Sequence, residues 1–133
     1  MADLAQFLEQ HRSTETYVRA GLKLLSHGDG QARMECPVAG STQNVNGSLH
    51  GGIIALLVDE AGTVALASAD REGRPGVTTD LSISYVRPGL PPRVIAEART
   101  LKVGRTLGMV QVDILGEDGL LVASGRMTKF MGR

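Results

Sequence analysis

Between Gly51 and Ser68 the chain runs through an apolar segment in which Asp59 and Glu60 are the only charged residues. A segment this apolar belongs either in a membrane or in a protein core. The membrane reading fails on the acidic pair at its middle, where each carboxylate costs about 2.5–3.5 kcal/mol on insertion scales. Flanking basic anchors do not support the membrane reading either. A helix that is apolar nearly all round is instead buried by protein on most sides, and a sheet that curls around it provides that burial.

Asp59 then needs a reason to be there, because a carboxylate is rarely buried without a partner or a purpose. Its helical neighbours are Ala55, Leu56, Gly62 and Thr63, a face of mostly small residues that admits a close approach. Glu60 is the competing carboxylate, and either acid can instead point to solvent at a gap. The start of the helix carries a second feature, His50-Gly51-Gly52. The first N–H groups of a helix lack intrahelical acceptors, and the helix dipole makes that end positive. Glycine leaves the backbone open, so the Gly51 N–H is able to receive a developing oxyanion. A plain glycine-rich turn is the alternative.

Gly51 and Asp59 cannot easily serve one reacting group within one chain. Eight residues of helix separate them by about 12 Å, whereas a base and an oxyanion donor must both come within about 3 Å of that group. Two antiparallel copies of the helix, related by a twofold axis, bring Gly51 of one chain to Asp59 of the other, twice per dimer.

The rest of the chain supplies the sheet. Asp3 to about Tyr17 reads as a short amphipathic helix. The turn residues His27-Gly28-Asp29-Gly30 separate the short apolar run Gly21 to Ser26 from the alternating segment Gln31 to Val38, giving a hairpin. A polar loop, Gly40 to Asn46, leads to the long helix. Period-two alternation follows from Val77 to Tyr85, with further strands at about 93–103, 106–115 and 120–130. One helix against runs of antiparallel strands predicts an α+β fold in a single domain spanning residues 1–133.

Composition narrows the function. Lys+Arg and Asp+Glu are each 14, and aromatic residues make up 3% of the chain, so neither a phosphate-binding charge excess nor a base-stacking surface is expected. One cysteine and three histidines argue against a metal site. Cys36 is expected as a small buried strand residue, and His11 and His27 as solvated side chains. The N-terminal segment does not read as a signal peptide, which makes a cytoplasmic protein the expectation.

The spacing Asn44-x-x-Gly47-x-x-His50-Gly51-Gly52, then Asp59, then Pro75-Gly76-Val77-Thr78-Thr79-Asp80 and Val103-Gly104-Arg105-Thr106, resembles the hotdog-fold acyl-CoA thioesterases, in particular their PaaI-like, phenylacetate-degradation branch. The resemblance covers about Asn44 to Lys129. It implies a hotdog fold, in which a curved antiparallel sheet wraps one long central helix, here preceded by a short N-terminal helix. It also implies a homodimer or a dimer of dimers with active sites at the dimer interface, acting on acyl-CoA without cofactor, metal, membrane or nucleic acid. Carried over by position, Asp59 is the carboxylate that attacks the thioester or activates water, and Gly51 gives the oxyanion N–H. Asn44 helps place the water or hold the thioester, and His50 braces the loop or touches substrate. Thr78 orients the water from the same side as Asp59, with Thr79 as the alternative because a one-residue slip reverses strand faces. Gly52, Lys102 and Arg105 are the candidate substrate-binding residues, the two cations as partners for coenzyme A phosphates. The implied reaction is hydrolysis of aryl- or medium-chain acyl-CoA. The rivals are a non-catalytic acyl-CoA-binding module and a hotdog enoyl-CoA hydratase or dehydratase.

Overall fold

The long apolar segment forms helix α3, Gly51–Ala69, and a six-stranded antiparallel sheet curls around it. The computed structural model describes residues 4–132. Two short helices, α1 (Leu4–Arg12) and α2 (Glu15–Ala20), precede the hairpin β1 (Lys23–Gly28) and β2 (Gln31–Pro37). After α3 come β3 (Val77–Tyr85), β4 (Arg93–Val103), β5 (Leu107–Gly116) and β6 (Leu121–Phe130). The sheet order is β1-β2-β4-β5-β6-β3, which leaves one edge of β3 unpaired among the described residues.

By length and composition α3 is apolar enough to cross a membrane, but the sheet buries it. Leu57, Val58, Ala61, Ala65 and Leu66 are wholly inaccessible, and they pack among Met34, Val94, Val110, Val112, Ile114 and Met127 from the strands. Cys36 lies in the same core, and burial pushes its thiol up to about 11, the environment of an inert packing residue.

Glycines set how closely helix and sheet approach. A Cβ on Gly62 would lie 2.6 Å from Met127 Cε and 3.1 Å from Val110 Cγ1. The small-residue face of the helix is therefore filled by the protein's own sheet rather than left open to a ligand. From the sheet side, a Cβ on Gly108 would meet the Leu66 methyls at 2.7 and 2.8 Å. Gly108→Ala is expected to destabilise the fold by about 1–3 kcal/mol through overpacking, measured as a lower urea midpoint at unchanged slope; an unchanged midpoint would show that the helix can shift to make room.

The N-terminal segment differs from the single helix expected from Asp3 to Tyr17. Asp3 lies outside the described residues, and the helix breaks between Arg12 and Glu15. There the Ser13 hydroxyl donates to the Gln10 carbonyl at 2.8 Å and the Thr14 hydroxyl to the His11 carbonyl at 2.9 Å. These local bonds compete with continued helix.

Candidate active site

Asp59 sits near the middle of α3, half-buried, on the flank that faces β3. The Thr78 hydroxyl donates to its Oδ1 at 2.8 Å, and its Oδ2 accepts no bond from the described residues. Thr79 does not reach it, since its hydroxyl bonds the Thr128 carbonyl at 3.2 Å. The cause is a bulge. Thr78 pairs with Lys129 and Asp80 with Thr128, which leaves Thr79 as the extra residue. Regular alternation would have placed Thr79 on the face of Leu81 and Ile83; the bulge places Thr78 there.

Glu60, the adjacent acid, has a different partner. Its Oε2 bonds the Nε2 of His11 from α1. His11 also stacks on Phe7 at a centroid separation of 4.9 Å and meets Tyr17 edge-on. This corrects the expectation that His11 is solvated: α1 folds back onto α3 and covers that part of it. His27 is exposed, as expected. Burial and the Glu60 charge together raise the Tyr17 phenol above its ordinary value, because both disfavour a second negative charge.

At the start of α3, His50 is the N-cap residue, and its Nδ1 accepts the Gly52 N–H at 2.8 Å. The His50 carbonyl takes the N–H groups of Ile53 and Ile54. The Gly51 N–H finds no acceptor among the described residues. Gly51 is also fixed from the sheet, since the Tyr85 hydroxyl donates to its carbonyl at 2.8 Å. Asn44 is folded into its own loop: Oδ1 accepts from the N–H groups of Asn46 and Ser48, and Nδ2 donates to the Ser48 hydroxyl at 3.0 Å. In one chain, then, Thr78 and Asp59 come together, and His50, Gly51 and Gly52 come together. The length of α3 keeps the two groups apart. Four concavities on the single chain are lined by neither Asp59 nor Gly51.

Residues 46–123 match the family described as the thioesterase superfamily. The chain belongs to the thioesterase superfamily. Human acyl-coenzyme A thioesterase 13 is 39% identical over 113 residues, covering 84% of this chain and 80% of the human protein. Among solved structures, zebra fish thioesterase superfamily member 2 superposes with a TM-score of 0.86 at 32% identity, covering 99% of this chain and 100% of that one. The phenylacetic acid degradation protein PaaI from Thermus thermophilus superposes at 0.79 with 28% identity, covering 90% and 100%. The fold is the hotdog of these thioesterases, and the protein is a thioester hydrolase.

Lys102 and Arg105 of this thioesterase are exposed near the turn between β4 and β5. Arg105 borders an open groove with Ala69, Arg71 and Glu72 at the far end of α3. The end of that helix is held by Asp70, whose carboxylate takes the Arg74 guanidinium at 2.8 and 3.0 Å. This hydrogen bonding holds the Asp70 carboxyl below its ordinary value. Among the described residues no three His, Cys, Asp or Glu side chains converge on a point that suits a metal ion.

Two residues were missed in the sequence, Tyr85 beside Gly51 and Lys129 near the acidic pair. Tyr85 shares the inward face of β3 with Leu81 and Ile83. Lys129 shares the inward face of β6 with Met127 and is 3% exposed. Its Nζ donates to the Thr63 hydroxyl at 2.5 Å. Burial lowers the pKa of its ammonium, and the charges of Asp59 and Glu60 oppose that shift. A lysine in phase with buried apolar residues is the signal that was available for it.

Proposed function

We propose that this thioester hydrolase cleaves aryl- or medium-chain acyl-CoA to the free acid and coenzyme A, at two sites built across a homodimer interface in the cytoplasm, without cofactor or metal. The observation that carries the reading is the Thr78–Asp59 hydrogen bond beside a carboxylate oxygen left open, with an unpaired N–H at the other end of the half-helix. The thioester carbonyl oxygen accepts the Gly51 N–H of one chain. Asp59 of the partner takes a proton from water as that water bonds to the carbonyl carbon. The tetrahedral oxyanion is held by the Gly51 N–H and the positive end of α3. Collapse breaks the carbon–sulfur bond and releases coenzyme A thiolate, which takes up the proton held by Asp59 and so restores the carboxylate.

In this reading Thr78 fixes the rotamer of Asp59 and the approach of water. Asn44 and His50 hold the loop and the helix start so that the Gly51 amide keeps its direction, and Gly52 leaves room for the thioester. Lys102 and Arg105 meet the coenzyme A phosphates. The half-buried Ile53, Leu56, Leu81 and Ile83 lie on α3 and β3, the two elements that carry Asp59 and Thr78, and suit an apolar acyl group. The open edge of β3 supports pairing with a second copy.

Phenylacetyl-, benzoyl- and medium-chain acyl-CoA, each assayed by thiol release, test the proposal. Turnover of at least one class is expected, with short polar acyl groups slower. Binding of all of them without thiol release would overturn it in favour of a non-catalytic module, and hydration of enoyl-CoA without thiol release in favour of a hydratase.

A further inference from the structure

Among the described residues one cation, Lys129, is buried in the interior, and the proposed chemistry does not use it. Lys129 stands opposite Thr78 in the β3–β6 pairing, so both side chains project from the sheet toward α3. There the Thr78 hydroxyl meets Asp59, and the Lys129 ammonium meets Thr63, one helical turn further along. An ammonium has three donors, and the described residues engage one of them, through Thr63. Burying such a charge is costly unless opposite charge lies nearby. The groups that face it from each surrounding element are few. From α3 come Asp59 and Glu60, the two acids that act on it electrostatically. His11 of α1 is bound to Glu60, and Tyr17 of α2 senses the Glu60 charge. From β3 and β5 come Thr78 and Gly108, the strand partners of Lys129, neither of them charged.

Among the described residues Glu60 is bonded to His11, whereas Asp59 is bonded to the neutral Thr78 hydroxyl alone. We infer that Lys129 is a positioning residue for the hydrolysis: its buried positive charge, held by Thr63 one turn from Asp59 and opposite Thr78 in the sheet, attracts the Asp59 carboxylate and keeps it in place for the water. This rests on the reading of Asp59 as the base. Lys129 touches neither water nor substrate in this account, and its effect passes through Asp59. Removing a buried opposite charge from the neighbourhood of a catalytic carboxylate disfavours its charged form, so the acid limb of the rate profile moves upward.

The test is the pH dependence of kcat/KM for wild type, Lys129→Met, Lys129→Gln, Thr63→Val and Asp59→Asn, each first shown to be folded by thermal melting. Both neutral Lys129 variants are expected to move the acid limb up by about one pH unit, with roughly tenfold lower kcat/KM on the acid flank and near recovery of the rate at higher pH. Thr63→Val removes the hydrogen bond but keeps the charge, and its limb is expected to stay in place. A folded Lys129→Met or Lys129→Gln with an unmoved limb, beside an inactive Asp59→Asn, would overturn the inference and leave the Asp59 reading standing. A Thr63→Val limb that moves as far as that of Lys129→Met would overturn it too, because packing rather than charge would then be the cause. Full activity in Asp59→Asn would remove the base itself, and the inference with it.

Discussion

Asp59→Asn is expected to lower kcat/KM by about 10²–10⁴ while leaving the fold intact. Asparagine keeps the shape of the side chain and an Oδ1 that still accepts from Thr78, whose hydroxyl lies 2.8 Å from the present carboxylate oxygen. It takes away the one property the chemistry needs, a basic oxygen able to hold a proton. The neighbouring acid is not placed to substitute, because Glu60 is bound to His11 on the side of α3 covered by α1. Steady-state thiol release from acyl-CoA, with thermal melting as the control for folding, reads the effect. Equal rates for the variant and wild type would remove Asp59 from the mechanism.

Gly51→Pro is expected to cost about 10²–10³ in turnover, the usual loss when one oxyanion donor is removed. A backbone N–H can be deleted only by changing the backbone, and this position tolerates the change. Gly51 is the first residue of α3, where proline is accepted because its missing N–H has no helical acceptor to lose. His50 before it is already extended, with φ −61° and ψ 134°, the conformation that a following proline requires. A Cβ at Gly51 would approach the Tyr85 ring no closer than 3.6 Å, an ordinary contact. Gly51→Ala, which keeps the N–H, serves as the control and is expected to stay within a few-fold of wild type. If proline and alanine behave alike, the amide plays no part.

The fold was legible because one long apolar segment and a series of strand-forming segments leave few ways to be buried. The strand at 93–103 and the helix from Gly51 to Ala69 stand as the pattern indicates. The site was legible only in part, for local reasons. Period two puts Thr79 in phase with Leu81, and a bulge at Thr79, which no residue pattern announces, gives Thr78 that face instead. His11 looked solvated because it sits in a polar segment; its partner Glu60 is 49 residues away, and the break at Ser13 and Thr14 that lets α1 fold back depends on two hydroxyls. Gly62 looked like an opening for a ligand and is instead where Met127 and Val110 press on the helix. In each case the missing information is a long-range contact, which spacing along the chain does not carry.

The claim on which the chemistry depends is that each active site joins the helix start of one chain to the carboxylate of its partner. Mixed dimers assembled from Asp59→Asn and Gly51→Pro chains test it directly. In a heterodimer, one site receives the intact Gly51 and the intact Asp59, and the other receives both lesions. Random assembly is therefore expected to restore about a quarter of wild-type activity from two inactive parents. Activity no higher than that of either parent, in a mixture shown by mass to contain heterodimers, would contradict the shared site.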